Sequence, residues 1–137
     1  MEPLVSIQIQ REPPHFSPGE TIVCDYQIDA VPKEDLLSVE ASILWYTEGK
    51  GDEDMGVHFF ERRLPADVEE NDLRAWRRFE TSLPNSPLSY EGDLICVHWC
   101  VRVRAFLRHG RQYHNDLKFM LGNVDAVQPP AKNDDAE

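Results

Sequence analysis

The sequence lacks the features of several large functional classes. No stretch approaches the roughly 20 consecutive apolar residues that a membrane helix needs, and the chain opens with Met1-Glu2-Pro3 rather than a basic region and an apolar run. We therefore expect neither a membrane span nor a signal peptide. The chain has only three cysteines, an odd number without the spacing of a disulfide framework. Such thiols are typical of a reducing compartment, so the sequence predicts a soluble, cytoplasmic protein.

Catalytic motifs are also missing. The sequence contains no Gly-x-Ser-x-Gly elbow, no glycine-rich phosphate loop and no His-Glu-x-x-His helix. Its five histidines are scattered over different predicted strands and turns. An enzyme needs a nucleophile or an acid–base set that converges in a pocket. We therefore predict a protein that is not an enzyme and that needs no cofactor.

Basic residues are scarce. The chain has 14 Lys and Arg residues against 25 Asp and Glu residues, a net charge of −11. Phosphate backbones and anionic lipid surfaces are attracted to basic proteins, so nucleic acid is excluded as a main ligand and an anionic membrane surface is disfavoured. The length of 137 residues and the 41% apolar content fit one domain with a single core.

Helical periodicity is almost absent, whereas apolar and polar residues alternate repeatedly. Val5, Ile7 and Ile9 define the first alternating run. Further runs cover 22–28, 39–45, 57–63, 75–83, 95–105 and 117–121. This pattern predicts an all-β, antiparallel, immunoglobulin-like sandwich of about seven strands. We expect this domain to occupy residues 1–123 and to be followed by a disordered acidic tail over residues 124–137.

A turn motif precedes the second predicted strand. It consists of an aromatic residue, Phe16, followed after one position by Pro18, Gly19 and Glu20. Proline fixes φ near −65° and glycine permits a positive φ, so the pair predicts a tight, preorganised turn.

A second motif leads into the longest predicted strand. It begins at Leu83-Pro84 and continues through Ser89, Tyr90 and Gly92. In this order the two motifs resemble the N-terminal domain of the arrestin-like family, over roughly residues 4–122. The resemblance implies a β-sandwich that binds or scaffolds other proteins. The chain is long enough for one of the two arrestin sandwiches, and its first strand lacks the paired lysines of receptor arrestins, so receptor binding is not implied.

Aromatic and arginine side chains form the predicted partner surface. The side chains of Trp45 and Trp99 are expected to meet in the core, which leaves aromatic residues of the opposite parity partly exposed. The predicted partner-binding residues are Tyr46, Phe60, Trp76, Arg102, Arg104 and Phe106. The arginines suit either recognition of an acidic or phosphorylated peptide or cross-strand pairs with residues such as Glu61 and Glu80. We expect a protein partner or a second copy to bind through this face or an edge strand.

A metal- or calcium-dependent module is the alternative. Cys96, His98 and Cys100 alternate, and their side chains are the ligand types that zinc prefers. Alternate residues on a strand lie about 6.6–7 Å apart, so three of them cannot converge on one ion without severe bending. The acidic segment 48–54 offers carboxylates for calcium, but this composition is more typical of an exposed hairpin loop. We therefore predict no resident metal.

Overall fold

The computed structural model describes residues 3–122, which form nine strands. These are β1 (Leu4–Ile9), β2 (His15–Phe16), β3 (Thr21–Asp29), β4 (Leu36–Gly49), β5 (Met55–Arg63), β6 (Arg77–Ser82), β7 (Tyr90–Glu91), β8 (Ile95–Leu107) and β9 (Gln112–Leu121). Short 3₁₀ turns occupy Lys33–Asp35, Pro65–Asp67, Glu69–Asn71 and Arg108–Gly110. None of the helical turns in this part of the chain is long or apolar enough to cross a membrane.

The predicted all-β sandwich is confirmed. One sheet has the order β1-β3-β6, and the larger sheet has the order β2-β9-β8-β4-β5 with β7 paired to β8. Strand neighbours run antiparallel, except that β2 is parallel to β9. Every predicted alternating run forms a strand, and the two additional strands, β2 and β7, have two residues each. The predicted tail lies outside the described residues.

The core lies between the inward faces of the two sheets. Tyr26 and Phe79 come from the smaller sheet, and Ile43, Trp99 and Val101 come from the larger one. The Trp99 side chain is almost fully buried, and its indole N–H donates to the carbonyl oxygen of Pro87 at 2.8 Å. Burial of a large aromatic side chain strongly favours folding, provided that its polar atom keeps a partner.

The first turn motif is built as the sequence predicts. Gly19 has a φ of +86°, and the Glu20 carboxylate accepts hydrogen bonds from the Ser17 N–H at 2.7 Å and from Arg11. Phe16 is buried and packs edge-on against Phe119, with 5.7 Å between the ring centroids. The Pro-Gly turn thus holds an aromatic anchor in the core at the point where the chain enters β3.

The second motif forms the short strand β7, which pairs with the start of β8. The exposed Tyr90 pairs with Val97, and the Gly92 N–H donates to the carbonyl oxygen of Ile95 at 3.0 Å. A Cβ atom on Gly92 would lie 2.5 Å from the Tyr90 ring. The Tyr90 ring thus lies against the Gly92 backbone, and a larger residue at position 92 would displace this exposed side chain.

Candidate functional site

The outward side of the larger sheet, which we call the outer face, brings together five of the six predicted partner-binding residues. These are Tyr46 on β4, Phe60 on β5, and Arg102, Arg104 and Phe106 on β8. Trp76 lies apart from them, just before β6 of the smaller sheet, where its ring lies 5.2 Å from the Arg78 guanidinium carbon. The structure therefore groups Phe60 with Tyr46 and separates both from Trp76.

The outer face carries an apolar patch next to β5. Leu44 is 2% exposed although it points away from the core, and Val57 lies opposite it in β5. Met55, Val57 and Phe60 are 52%, 55% and 56% exposed. We call Tyr46, Met55, Val57 and Phe60 the outer patch. Three neighbouring apolar side chains that are each half exposed are typical of an interaction surface.

A β-bulge explains why the sequence pattern missed Met55 and Val57. The β4–β5 register shifts between the pairs Ile43–Phe59 and Leu44–Val57, so His58 has no partner in β4. An extra residue reverses the side-chain parity on one side of a bulge. Simple alternation places Val57 with Phe59, but only Phe59 faces the core. No residue type in the sequence marks this position.

Strand β5 is also the open edge of the larger sheet. It is paired with β4 only, and within residues 3–122 none of its backbone groups bonds to backbone outside that pairing. It contains no proline. Strand β6 is an edge of the smaller sheet. It lies directly beneath β5, because the rings of Phe59 and Phe79 stack in parallel with 5.0 Å between their centroids. An edge strand of nine residues without proline presents unpaired backbone groups with which another strand can pair.

Carboxylates surround one end of the outer patch. A hollow of about 490 Å³ is bordered by Tyr46, Met55, Glu48, Glu53 and Asp54, with Thr47 between them. The three acidic residues are exposed. The predicted hairpin connection is present, but its loop is shorter than 48–54, because β4 extends through Gly49 and β5 begins at Met55.

The arginines of the outer face do not form a free anion-binding cluster. Arg102 donates from Nε and Nη2 to the Asp116 carboxylate at 2.9 and 3.1 Å. Partial burial acts to raise the pKa of Asp116, but the hydrogen bonds and charges of Arg102 and His114 together outweigh it and lower that pKa. Within the described residues, Arg104 takes part in no ion pair. The pairing of Arg102 favours the cross-strand alternative over recognition of an acidic peptide.

Earlier arginines are paired in the same way. Arg77 and Arg63 both approach the Glu61 carboxylate, and Arg63 also donates to the Tyr26 hydroxyl at 3.1 Å. Such pairs link β5 to the smaller sheet and hold the inward side of the edge strand in place. Glu80, by contrast, makes no ion pair within residues 3–122.

The cysteine–histidine face does not assemble a metal site in the described part of the chain. No group of three or more His, Cys, Asp or Glu side chains within residues 3–122 is placed to hold an ion. His98 instead shares a 2.9 Å hydrogen bond with Glu48 and packs against Tyr46. Burial raises the pKa of Cys100 to about 11, which opposes the thiolate form that metals bind.

A cleft of about 550 Å³ lies where β9 separates from β7. Ten residues border it: Pro14, His15, Ser89, Tyr90, Glu91, Val97, His98, Lys118, Phe119 and Met120. The Ser89 hydroxyl oxygen accepts the Leu121 N–H at 2.8 Å, and His98 is held by Glu48. Within the described residues, no hydrogen bond joins this serine to a histidine, so the cleft shows no activated nucleophile.

Comparisons with known proteins concern the fold. Neither a protein-family model nor a curated protein sequence matches the chain. Spo0M, the sporulation control protein of Bacillus subtilis, has a similar solved structure, with a TM-score of 0.59 at 10% sequence identity. The match covers 88% of this chain and 49% of Spo0M, so the chain spans about half the length of that protein. The likeness supports the arrestin-like fold that the two sequence motifs predict.

Proposed function

We propose that the chain is a non-enzymatic interaction module that binds an extended segment of a protein along β5. The observation that carries this proposal is the position of Val57 and Phe60, which are each more than half exposed on a sheet edge that no other backbone covers within residues 3–122. The unpaired backbone of β5 would supply hydrogen bonds, and the outer patch would select the side chains of the partner.

The size of the patch favours strand addition over a flat side-chain contact. Full burial of a Val, Met or Phe side chain contributes about 1.5–3 kcal/mol, so completing the burial of three half-exposed residues contributes roughly 2–4 kcal/mol. Association costs at least about 4 kcal/mol in lost freedom. The apolar side chains of the outer patch therefore at best offset the lowest such cost, and the backbone pairs of an added strand would supply the remaining free energy of binding.

Further features support the proposed interaction function and a cytoplasmic location. An arrestin-like sandwich offers sheet edges and faces for binding, and within residues 3–122 no hydrogen bond joins Ser89 of the cleft to a histidine. Cys24, Cys96 and Cys100 are free thiols, as in proteins of a reducing compartment. We accordingly assign the module to the cytoplasm.

Selection of displayed peptides tests the proposal, because a random library does not require the partner to be identified. The library would be selected on the wild-type chain, and the binders would then be measured on Phe60→Asp. We expect alternating apolar peptides whose dissociation constants rise at least about tenfold on that variant. Leu4→Asp is the matched control because Leu4 is equally exposed but lies on β1 of the other sheet.

Binding to the Leu4→Asp control should equal binding to the wild type. Recovery of no peptide, or of peptides that bind Phe60→Asp as tightly as the wild type, would overturn the proposed function.

A further inference from the structure

Charge is distributed unevenly along the edge strand and the loop that leads into it. The segment begins with Asp52, Glu53 and Asp54, continues through the apolar residues of β5 and ends near Arg62. The Arg62 side chain is 58% exposed, and its nearest carboxylate, on Glu40, lies 3.9 Å away. The segment is thus acidic at one end, apolar in the middle and basic at the other end.

A strand with this polarity is complementary to itself when two copies run antiparallel. Met55, Val57, Phe60 and Arg62 all point to the outer face because of the bulge. An antiparallel register that keeps these four side chains on one side sets Val57 opposite Phe60 and Met55 opposite Arg62. The same register repeats both contacts, as a twofold axis requires.

The charged ends then meet across the axis. Glu53 borders the same hollow as Met55, so the Arg62 of one copy is brought next to the Glu53 of the other. The contact occurs twice, once on each side of the axis. The axis passes between His58 and Phe59, so the bulges of the two strands lie side by side.

We infer that the segment bound along β5 is β5 of a second copy, which forms an antiparallel dimer with a continuous outer sheet. This inference rests on the proposed function, because it names the strand that the open edge accepts. A second copy matches the edge in three respects: alternating apolar side chains, reciprocal charge and an identical bulge. The net charge of −11 acts against association at long range, but salt screens it beyond about 8 Å while close opposite charges still attract.

A charge exchange tests the dimer with the full-length chain. Sedimentation equilibrium would be measured for the wild type, for Arg62→Glu, for Glu53→Arg and for an equimolar mixture of the two variants. Each variant alone places like charges together twice and should raise the dimer dissociation constant at least about tenfold. The mixture restores both opposite-charge contacts in the heterodimer and should return to the wild-type constant. Because both residues are exposed, thermal unfolding of each variant should match that of the wild type when all are measured at a concentration at which the chains are monomeric.

Three outcomes would overturn the inference: a wild-type chain that stays monomeric at every concentration, variants that dimerise as well as the wild type, or a mixture that does not recover. The peptide selection separates these failures from that of the proposed function. A monomeric wild type that binds displayed peptides through Phe60 overturns the dimer and leaves the proposed function standing. A monomeric wild type that binds none overturns both.

Discussion

Gly19 donates its backbone N–H to the carbonyl oxygen of Leu83 at 3.0 Å, and the two turn motifs meet at this contact. The reciprocal bond runs from the Leu83 N–H to the Glu20 carbonyl oxygen at 2.8 Å. The motifs are more than 60 residues apart in the sequence. Their pairing closes the end of the β3–β6 ladder and fixes the approach of the chain to β7.

Replacement of Gly19 by valine should destabilise the fold by about 1–3 kcal/mol, because a β-branched residue is strained at a φ of +86°. Gly19→Asn should cost less, since asparagine tolerates positive φ and no atom lies within 4 Å of the added Cβ position. Urea unfolding measures both variants. Equal stability of Gly19→Val and the wild type would show that this turn does not constrain the fold.

The two adjacent phenylalanines of β5 should contribute unequally to stability, because they point to opposite faces of the larger sheet. Phe59→Ala should lower the free energy of unfolding by about 2–3 kcal/mol, because Phe59 stacks on Phe79 between the sheets. Phe60→Ala should change it by about 1 kcal/mol or less, because Phe60 is half exposed on the outer face. Chemical denaturation of the two variants provides the measurement. A larger loss for Phe60→Ala than for Phe59→Ala would contradict the assignment of Phe59 to the core and Phe60 to the outer face.

The sandwich can be predicted from the sequence because alternating apolar and polar residues identify its strands locally. The buried side chains Val39, Ala41 and Ile43 follow period two without interruption, and Gly19 adopts the backbone conformation that its turn motif requires. These features depend on neighbouring residues only, so they can be recognised without knowing the tertiary contacts.

The candidate site was predicted only in part, since it depends on register. Tyr46 and Phe60 could be identified from parity, but Val57 reaches the outer face through a bulge that only the pairing with β4 reveals. The open edge of β5 likewise follows from strand order. Trp76 is aromatic like Phe60, but it lies directly before β6, next to the smaller sheet.

Asp25 should make the stability dependent on pH in the acidic range. It is 4% exposed, and the hydrogen bonds from Arg78 outweigh the cost of burial and lower its pKa. A carboxyl whose pKa is lowered on folding stabilises the protein above its unfolded pKa of about 3.9. That contribution is lost as the pH falls through the folded pKa.

Asp25→Asn should therefore lower the free energy of unfolding by about 1–3 kcal/mol at pH 7, where a charged hydrogen bond is lost. The difference from the wild type should shrink below about pH 4. Asp52→Asn, at an exposed loop position, is the control and should show little effect at either pH. A difference between Asp25→Asn and the wild type that is the same at pH 7 and pH 3 would contradict this assignment.

The three thiols should differ in reactivity. Burial raises the pKa of Cys24 to about 12 and that of Cys100 to about 11, whereas Cys96 is only half buried. Because the thiolate is the reactive form, iodoacetamide at pH 8 should modify Cys96 first and the other two only after unfolding. Peptide mass spectrometry over time reads this order directly. Rapid modification of Cys100 in the folded chain would show that the outer face opens at that position.

Amide hydrogen exchange tests most directly whether β5 binds an added strand. Exchange over Met55–Arg63 would be compared with and without a saturating displayed peptide, at a protein concentration at which the chain is monomeric. The N–H groups of β5 that point away from β4 should exchange more slowly when the peptide is bound, because an added strand accepts their hydrogen bonds. Unchanged exchange in β5, with slower exchange around Tyr90 and Met120 in the cleft, would contradict the account and move the binding site to that cleft.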